Sequence, residues 1–321
     1  MPSTYNGLIN IYKEKGFTSN DVVAKMRGIL HQKKIGHTGT LDPDAEGVLV
    51  VCLGTGTKLV EMLTDHDKEY IACCRLGVTT DTQDMSGTVI SQSEVNVTRD
   101  ELHEAVQAFV GDYDQIPPMY SAIKQNGKKL YELAREGIEV ERKPRKVHIG
   151  AITVLDDSQL QETSSFTMEV KCSKGTYIRT LCNDIGDRLG CGAAMQNLLR
   201  TRVGAFTLDT AIKLGDLEKM RDNGTLEEVI QSPEYIFKDL DALHVLDSAR
   251  VLLENGNSFK ARDLCNEDPE GVNDKEFAKH MFSNGDMFRV YGLDGTFFGI
   301  YQYDEKVRLF RAFKFFYEKN N

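Results

Sequence analysis

The sequence predicts an α+β fold with a small β-rich module at its C-terminal end. Helical and strand patterns follow one another without the regular strand–helix–strand rhythm of a doubly wound sheet. Three apolar, aromatic runs close the chain, and a Leu-Asp-Gly hairpin signal at 293–295 joins the first two. A connector rich in Glu, Asn, Asp and Gly, residues 255–274, precedes these runs. We therefore predict a larger domain, with helices around a mixed central sheet, over residues 1–235 and a C-terminal module over residues 236–321.

Three helices are predicted from capping signals and helical periodicity. The capping-box pattern Thr18-x-x-Asp21 precedes apolar residues at helical spacing, and Thr98-x-x-Glu101 repeats it before a second such run. A third helix is expected over about residues 176–189, where apolar residues line one face and a glycine follows as a stop signal.

Strands are predicted where apolar residues form short runs or alternate with polar ones. In the larger domain and in the C-terminal module these segments are residues 48–53, 70–76, 146–155, 166–172, 287–291, 297–303 and 309–315.

The charge balance argues against a protein that coats nucleic acid by bulk attraction. The formal net charge is −10 and the pI is about 5.3, whereas such domains usually have a pI above about 9. The acidity is concentrated after residue 205, because residues 1–205 have a net charge of −3 and residues 206–321 have −7. Residues 115–150 form a local basic stretch of eight Lys/Arg against four Glu. By itself this stretch is read more simply as a solvated surface than as a binding site.

Cysteine usage and the N-terminus indicate where the protein works. Seven cysteines, an odd number without a C-x-x-C pair, are typical of reduced thiols in a cytosolic protein. The first residues lack a basic start followed by an apolar segment. The longest apolar run, residues 48–53, is far shorter than the ~20 residues of a membrane span. We expect a cytoplasmic protein without a membrane segment.

The most informative stretch is a polar loop that begins at His37 and presents Asp42 just before an apolar strand. Pro43 biases Asp42 toward an extended backbone, so that the carboxylate projects from the loop. An exposed aspartate has a pKa of about 3.9 and would be ionised at neutral pH. Taken alone, an Asp-Pro turn with a local hydrogen bond is the commoner structure.

Two further stretches carry chemistry-bearing residues. Tyr70 begins a predicted strand that enters a polar loop with Asp81 and Asp84, whose spacing misses the calcium-loop pattern, so no metal is expected. Arg179 falls in the first turn of the third predicted helix, where the helix dipole disfavours a cation. Either an anion elsewhere in the chain pairs with Arg179, or its side chain faces solvent.

Three stretches of this chain, around Asp42, Tyr70 and Arg179, resemble the TruB family of tRNA pseudouridine synthases. The basic segment QIPPMYSAIK, residues 115–124, lies between the second and the third stretch and is part of the resemblance. The resemblance runs from Gly7 to about Phe206 and is weaker beyond. It implies the pseudouridine synthase fold, with a C-terminal PUA-like RNA-binding module. The implied activity is isomerisation of the uridine at position 55, in the T loop of tRNA, to pseudouridine without any cofactor.

The resemblance also implies roles for individual residues. Asp42 matches the catalytic aspartate, which attacks the target nucleoside covalently at either uracil C6 or ribose C1′. Arg179 matches the arginine paired with that aspartate. Tyr70 matches the tyrosine that packs on the target base and lies near the C5 proton.

Other matches concern RNA recognition. Tyr177 and Leu198 match residues that line the base pocket, and His37 matches the histidine that takes the place of the flipped uridine in the T loop. The basic residues that we expect along the RNA backbone are Lys124, Lys128, Lys129, Arg145, Lys174 and Arg202.

The expected partner is the T stem-loop of tRNA, bound by a monomer that needs no other protein. One alternative is a tRNA-binding or folding factor in which catalysis is dispensable. A second is a guide-RNA-dependent pseudouridine synthase in a multi-protein particle, which the short C-terminal module and the lack of basic tails disfavour. A third and weaker alternative is a glycosidase that uses Asp42 with Asp44 or Glu46 as a carboxylate pair.

Overall fold

The computed structural model describes residues 5–265 and 282–319. Its strands, in chain order, are β1 (Gly7–Lys13), β2 (Ile35–His37), β3 (Glu46–Leu53), β4 (Lys68–Leu76), β5 (Val78–Thr80), β6 (Val89–Gln92), β7 (Gly111–Gln115), β8 (Lys124–Gln125), β9 (Lys128–Lys129), β10 (Arg145–Asp156), β11 (Ser165–Cys172), β12 (Ala193–Val203), β13 (Phe206–Thr207), β14 (Ala242–Val245), β15 (Met287–Gly292), β16 (Phe297–Asp304) and β17 (Leu309–Phe315).

The α-helices are short and lie mainly in the first 225 residues. They are α1 (Ser19–Leu30), α2 (Val60–Thr64), α3 (Arg99–Gln107), α4 (Leu130–Arg135), α5 (Leu160–Thr163), α6 (Ile178–Arg188), α7 (Leu214–Asn223) and α8 (Arg250–Glu254). Among the described residues, no helix combines the length and the apolar content needed to cross a bilayer.

A mixed sheet forms the centre of the larger domain, which confirms the predicted α+β class. Its strands follow the order β1-β3-β12-β4-β11-β10-β7, with β2 added to β3 and β13 added to β12. All neighbours are antiparallel except β12 and β3, which run parallel. This parallel pairing brings the C-terminal half of β12 against the start of β3, beside the loop that carries Asp42.

Strand β3 is buried on both faces, as its continuous apolar run indicates. Leu49, Val51 and Leu53 pack under α1 and α7. Val48 and Val50 point to the opposite face, where they meet apolar residues of β13 and of the C-terminal sheet. A strand enclosed in this way gives the loop before it a rigid base.

The C-terminal strands form a second sheet in the order β14-β15-β16-β17, so the β-rich C-terminal region is confirmed. Ile300 of β16 and the nearby Phe316 pack against the larger domain and join its core. The boundary between residues 235 and 236 stays a prediction. The predicted connector over 255–274 lies partly outside the described residues.

The elements with strong local signals lie where the sequence predicts them. Thr18 and Thr98 each cap a helix with a reciprocal capping box, and the third predicted helix is α6. The segment after β3, residues 54–59, is a 3₁₀ turn that leads into α2. Sequence reasoning missed β1 and β12, since neither shows a regular alternation of apolar and polar residues.

Gly47 is required where β3 and β12 meet. Its φ is +104°, and a Cβ placed there would lie 2.2 Å from the carbonyl oxygen of Arg200 and 2.9 Å from its amide nitrogen. We expect Gly47→Ala to lower the free energy of unfolding by about 2–4 kcal/mol, because strained backbone and overpacking add. Urea denaturation followed by circular dichroism measures this change.

The matched control is Gly28, which is exposed on α1 with open space around it. Gly28→Ala should raise the free energy of unfolding by up to about 1 kcal/mol, since alanine favours the helix. Equal urea midpoints for wild type and Gly47→Ala would contradict the steric interpretation.

Candidate active site

The Asp42 loop connects β2 to β3 and is anchored from two directions. Ser19, buried at the start of α1, accepts a hydrogen bond from the Leu41 amide at 2.8 Å and donates to the Leu41 carbonyl at 3.3 Å. On the other side, the guanidinium of Arg200 donates to the carbonyl of Gly39. Asp42 itself is 37% exposed at its side chain, so a substrate can reach the carboxylate.

A buried lysine, Lys13, also holds the Asp42 loop in place. Lys13 Nζ donates to the Pro43 carbonyl at 3.0 Å, and the Gly16 amide donates to the same oxygen at 2.9 Å. Burial lowers the pKa of Lys13 to about 8. The family pattern Lys-Pro-x-Gly reads Lys-Glu-Lys-Gly here. The replacing Glu14 pairs with Lys213 at 3.5 Å, so both contacts to Pro43 coexist with it.

Arg179 faces two carboxylates. Its Nη1 lies 3.5 Å from Asp42 Oδ2 and 3.7 Å from Asp84 Oδ2, while Nη2 donates to the carbonyl of Tyr120 at 2.5 Å. The Arg179 side chain is 7% exposed. The anion expected for this first-turn arginine is therefore Asp42, and sequence reasoning missed the second one, Asp84.

The loop that contains Asp84 fixes the orientation of its carboxylate. Asp84 Oδ1 accepts from the hydroxyl of Thr82 at 2.8 Å and from the amide and hydroxyl of Ser86 at 3.0 and 2.5 Å. The other carboxylate oxygen, Oδ2, therefore faces Arg179. The polar D-x-x-D-x-S pattern was a usable signal for such a turn, but its charged partner lies almost a hundred residues away.

The pKa of Asp42 reflects above all its burial and two charged neighbours. Burial raises it above the ordinary value, the Arg179 guanidinium opposes that rise, and the nearby negative charge of Asp84 adds to it. The carboxylate is thus accessible to a substrate, but its surroundings are less polar than those of an aspartate fully surrounded by water. Partial removal of water makes a carboxylate more reactive, and the guanidinium favours its ionised form.

The start of α6 is held by a buried glutamine. The Tyr177 amide donates to Gln115 Oε1 at 2.8 Å, and Gln115 Nε2 donates to the Tyr177 carbonyl at 3.0 Å. Tyr177 is the residue before the first turn of α6, and its ring lies 5.8 Å from the Arg179 guanidinium carbon. Gln115 thus fixes both backbone groups of the residue that leads into Arg179.

Tyr70 lies on β4 and is 8% exposed. Burial raises the pKa of its phenol, and a hydrogen bond and the charge of Arg200 oppose that rise. Leu198 on β12 pairs across from Ala72, two residues along the same strand as Tyr70, and packs against the same core.

His37 ends β2, and its Nδ1 accepts a hydrogen bond from the Gly39 amide at 3.4 Å. Burial and the positive charge of Arg200 lower the pKa of His37, so the imidazole is favoured in its neutral form. A neutral ring suits a residue that stands among bases rather than against phosphates.

Arg200 is a residue near the site that sequence reasoning missed. It lies in the C-terminal half of β12, opposite Tyr70 on one side and Gly47 on the other. Its side chain is among the most buried of the described residues, at 2% exposure. Arg200 stands in the stretch LLRTRVGAF, residues 198–206, but nothing in that local pattern distinguishes a buried arginine from an exposed one.

The six basic residues expected along the RNA differ in their surroundings. Lys128 pairs with Glu136, Lys174 with Asp65 and Arg202 with Glu69, at 3.1, 2.7 and 2.5 Å. Lys129 contacts the ring of Tyr131. In the part of the chain that the structure describes, the exposed side chains of Lys124 and Arg145 form no ion pair. Their RNA contacts stay a prediction.

Within residues 5–265 and 282–319, no group of three or more His, Cys, Asp or Glu side chains is arranged to hold a metal ion. Asp81 and Asp84 instead stabilise their own loop, since Asp81 Oδ1 accepts from the Thr88 amide at 2.7 Å. The site therefore offers one projecting carboxylate, one guanidinium and aromatic rings. This set suits covalent attack on an electrophilic carbon of a planar base or its sugar.

Comparisons with known proteins agree with this arrangement. Residues 27–178 match the model of the TruB family pseudouridylate synthase N-terminal domain, and residues 179–238 match the tRNA pseudouridylate synthase B C-terminal domain. The tRNA pseudouridine synthase B of Lachnoclostridium phytofermentans is 50% identical over 97% of this chain and 99% of its own length. That of Clostridium perfringens strain 13 is 43% identical over 94% and 96%.

Solved structures show the same fold. A chain in the structure of an H/ACA RNP bound to a substrate RNA containing 2′-deoxyuridine aligns with a TM-score of 0.67 and 25% identity, covering 98% of this chain and 86% of that one. A chain in a Cbf5-Nop10-Gar1 complex aligns with a TM-score of 0.65 and 28% identity, covering 93% and 78%. The resemblance inferred from the motifs is confirmed by full-length similarity and by a shared architecture. This chain belongs to the TruB family of pseudouridylate synthases.

Proposed function

We propose that this protein isomerises uridine 55 in the T loop of tRNA to pseudouridine, with Asp42 as the nucleophile. The observation that carries the proposal is the Asp42 carboxylate held 3.5 Å from the buried Arg179 guanidinium, in a chain of this family. Full-length relatives named tRNA pseudouridine synthase B support tRNA as the substrate.

The reaction needs only groups that this chain supplies. Asp42 forms a covalent bond with the nucleoside at C6 of the uracil or C1′ of the ribose, and the N1–C1′ bond breaks. The uracil rotates, and C5 bonds to C1′. The C5 proton then leaves while N1 gains one and Asp42 is released, so atoms and electrons balance without a cofactor.

The other residues carried over from the family receive roles in this scheme. Tyr70 packs against the extruded base and lies near the C5 proton, and Tyr177 and Leu198 line the pocket. His37 occupies the space in the T loop from which uridine 55 has flipped, a mode that suits recognition of unstacked RNA loops. Lys124 and Arg145 are the cations most available for phosphates, with Lys128, Lys129, Lys174 and Arg202 as further candidates.

The protein is proposed to act alone, as a cytoplasmic monomer. Few available cations and a net charge of −10 predict a modest dependence of RNA affinity on salt. Filter-binding measurements over a range of KCl concentrations give the slope, and a steep one would contradict recognition mainly by loop shape.

The direct test is to incubate the purified protein with unmodified T-stem-loop RNA and with full tRNA transcript. We expect pseudouridine at position 55 and nowhere else, read by mass spectrometry of nuclease fragments. A transcript carrying cytidine at position 55 is the control and should gain no pseudouridine.

The same experiment distinguishes a stand-alone enzyme from the guide-RNA-dependent alternative. That alternative is relevant because this chain is similar to chains from H/ACA assemblies. Activity of the lone protein on plain transcript excludes a need for guide RNA and partner proteins. Binding of the RNA without any isomerisation would favour either that alternative or a tRNA-folding factor.

A further inference from the structure

Arg200 joins two parts of the site that are far apart in the sequence. Its Nε donates to the Val48 carbonyl at 2.7 Å, and its Nη2 donates to the Gly39 carbonyl at 3.2 Å. Its Nη1 lies 3.5 Å from the Thr40 carbonyl. The three oxygens bracket the loop that carries Asp42, at its start and at its return into β3.

The second part is Tyr70. Arg200 and Tyr70 are direct cross-strand partners on β12 and β4, so their side chains lie on the same face of the sheet. The positive charge of Arg200 opposes the rise that burial causes in the pKa of the Tyr70 phenol, so it acts on that hydroxyl. Arg200 therefore places its charge beside Tyr70 while its N–H groups hold the Asp42 loop.

The burial of Arg200 is unusual because no carboxylate among the described residues pairs with its positive charge. Within the described residues Arg200 forms no ion pair, and its hydrogen-bond acceptors are backbone carbonyls. Burying a charge with only neutral partners is costly. A leucine or methionine would fill the same space at lower cost, which argues that the guanidinium has a task beyond packing.

The charge of Arg200 also acts on the groups around it. It lowers the pKa of His37 and of the buried Lys68, and it opposes the rise in the pKa of Tyr70. Its charge thus favours the neutral imidazole at one edge of the site and reduces the rise in the phenol pKa at the other.

We infer that Arg200 is a positioning residue for the isomerisation: it holds the Asp42 loop in place beside its own cross-strand partner, Tyr70. This inference rests on the proposed function for its kinetic part, and on loop geometry for its structural part. Arg200 touches neither nucleophile nor substrate, so its effect is exerted through Gly39, Thr40 and Tyr70.

The test compares Arg200→Lys and Arg200→Met with wild type and with Lys68→Met. Lys68 is a matched control because it is also a buried cation on this sheet, and its Nζ donates to the carbonyls of Thr64 and His66. At saturating T-stem-loop RNA we expect Arg200→Met to lower the single-turnover rate about 100-fold, since small displacements of reacting groups have such effects. Arg200→Lys should lose less, RNA affinity should stay unchanged, and Lys68→Met should keep the wild-type rate.

Two readouts distinguish positioning from a merely structural role. In a Tyr70→Phe background the loss caused by Arg200→Met should be smaller, because the hydroxyl on which the Arg200 charge acts is already gone. Hydrogen exchange of amides 38–48 should be faster in both Arg200 variants than in wild type and Lys68→Met. Hydrogen exchange does not depend on the reaction, so it still tests Arg200 if the wild-type protein forms no pseudouridine.

Several outcomes would overturn the inference. These are a wild-type rate in Arg200→Lys and Arg200→Met, weaker RNA binding with an unchanged rate at saturation, or unaltered exchange of the Asp42 loop. If Arg200→Met does not fold, Arg200→Lys alone decides, since it retains the charge and the bulk but not the forked geometry of the guanidinium.

Discussion

Asp42→Asn should abolish pseudouridine formation while leaving the fold and RNA binding intact. The amide keeps the size of the side chain but cannot attack carbon, and loss of a catalytic nucleophile lowers the rate by at least ~10⁴-fold. Asp42 is partly exposed and Asp84 remains beside Arg179 as an anion, so we expect a neutral side chain to be tolerated in this position. The expected result is a folded protein that binds T-stem-loop RNA with wild-type affinity and forms no product.

The measurements are the single-turnover rate, the RNA dissociation constant and the thermal unfolding curve of each protein. Asp44→Asn is the matched control, since Asp44 is an exposed aspartate of the same loop, and it should retain the wild-type rate. Isomerisation by Asp42→Asn at the wild-type rate would show that the nucleophile is another group. Loss of RNA binding in Asp42→Asn would instead assign Asp42 to recognition.

Arg179→Met should lower the rate by about 10²–10³-fold and move its pH dependence. Arg179 is the main group that lowers the pKa of Asp42, against burial and the charge of Asp84. Without it, two carboxylates face each other with no guanidinium between them, and the pKa of Asp42 rises further. A smaller fraction of Asp42 is then ionised at any given acid pH, so the acid limb of the rate profile shifts to higher pH. The loss in rate is of the size found when one preorganised charge is removed from a site.

Single-turnover rates measured across the acid and neutral range reveal this shift. Arg179→Lys retains a positive charge and should show a smaller shift, although a lysine cannot also reach the Tyr120 carbonyl in the same geometry. Arg188→Met removes an exposed cation from the other end of α6 and should leave the profile unchanged. A lower rate in Arg179→Met with an unmoved pH profile would mean that Arg179 only shapes the pocket.

The sequence was sufficient wherever the signal was local. Capping boxes and periodicity predicted α1, α3 and α6, and alternation predicted β4 and β11, because each pattern is complete within about a dozen residues. The motif around Asp42 and the arginine in the first turn of α6 identified the central pair of the site. The resemblance assigned their partnership, and the structure places them 3.5 Å apart.

Local patterns did not predict how distant segments meet. Strands β1 and β12 carry weak alternation, and β12 is inserted between β3 and β4, so its neighbours are far from it in the chain. The pairing of the basic residues was also outside the reach of the sequence. Lys128, Lys174 and Arg202 each lie against a carboxylate in the folded chain, and their RNA contacts stay a prediction.

The sequence by itself thus determined the α+β class, the family and the residues that we propose for the chemistry, since those depend on periodicity and on contiguous motifs. Only the tertiary structure decided that Asp84 shares Arg179 with Asp42, and that Arg200 is buried between Tyr70 and the Asp42 loop. The physical reason is distance along the chain. Arg200 and the Val48 carbonyl that it binds are 152 residues apart, and whether a charge is paired, buried or free is a property of the folded neighbourhood.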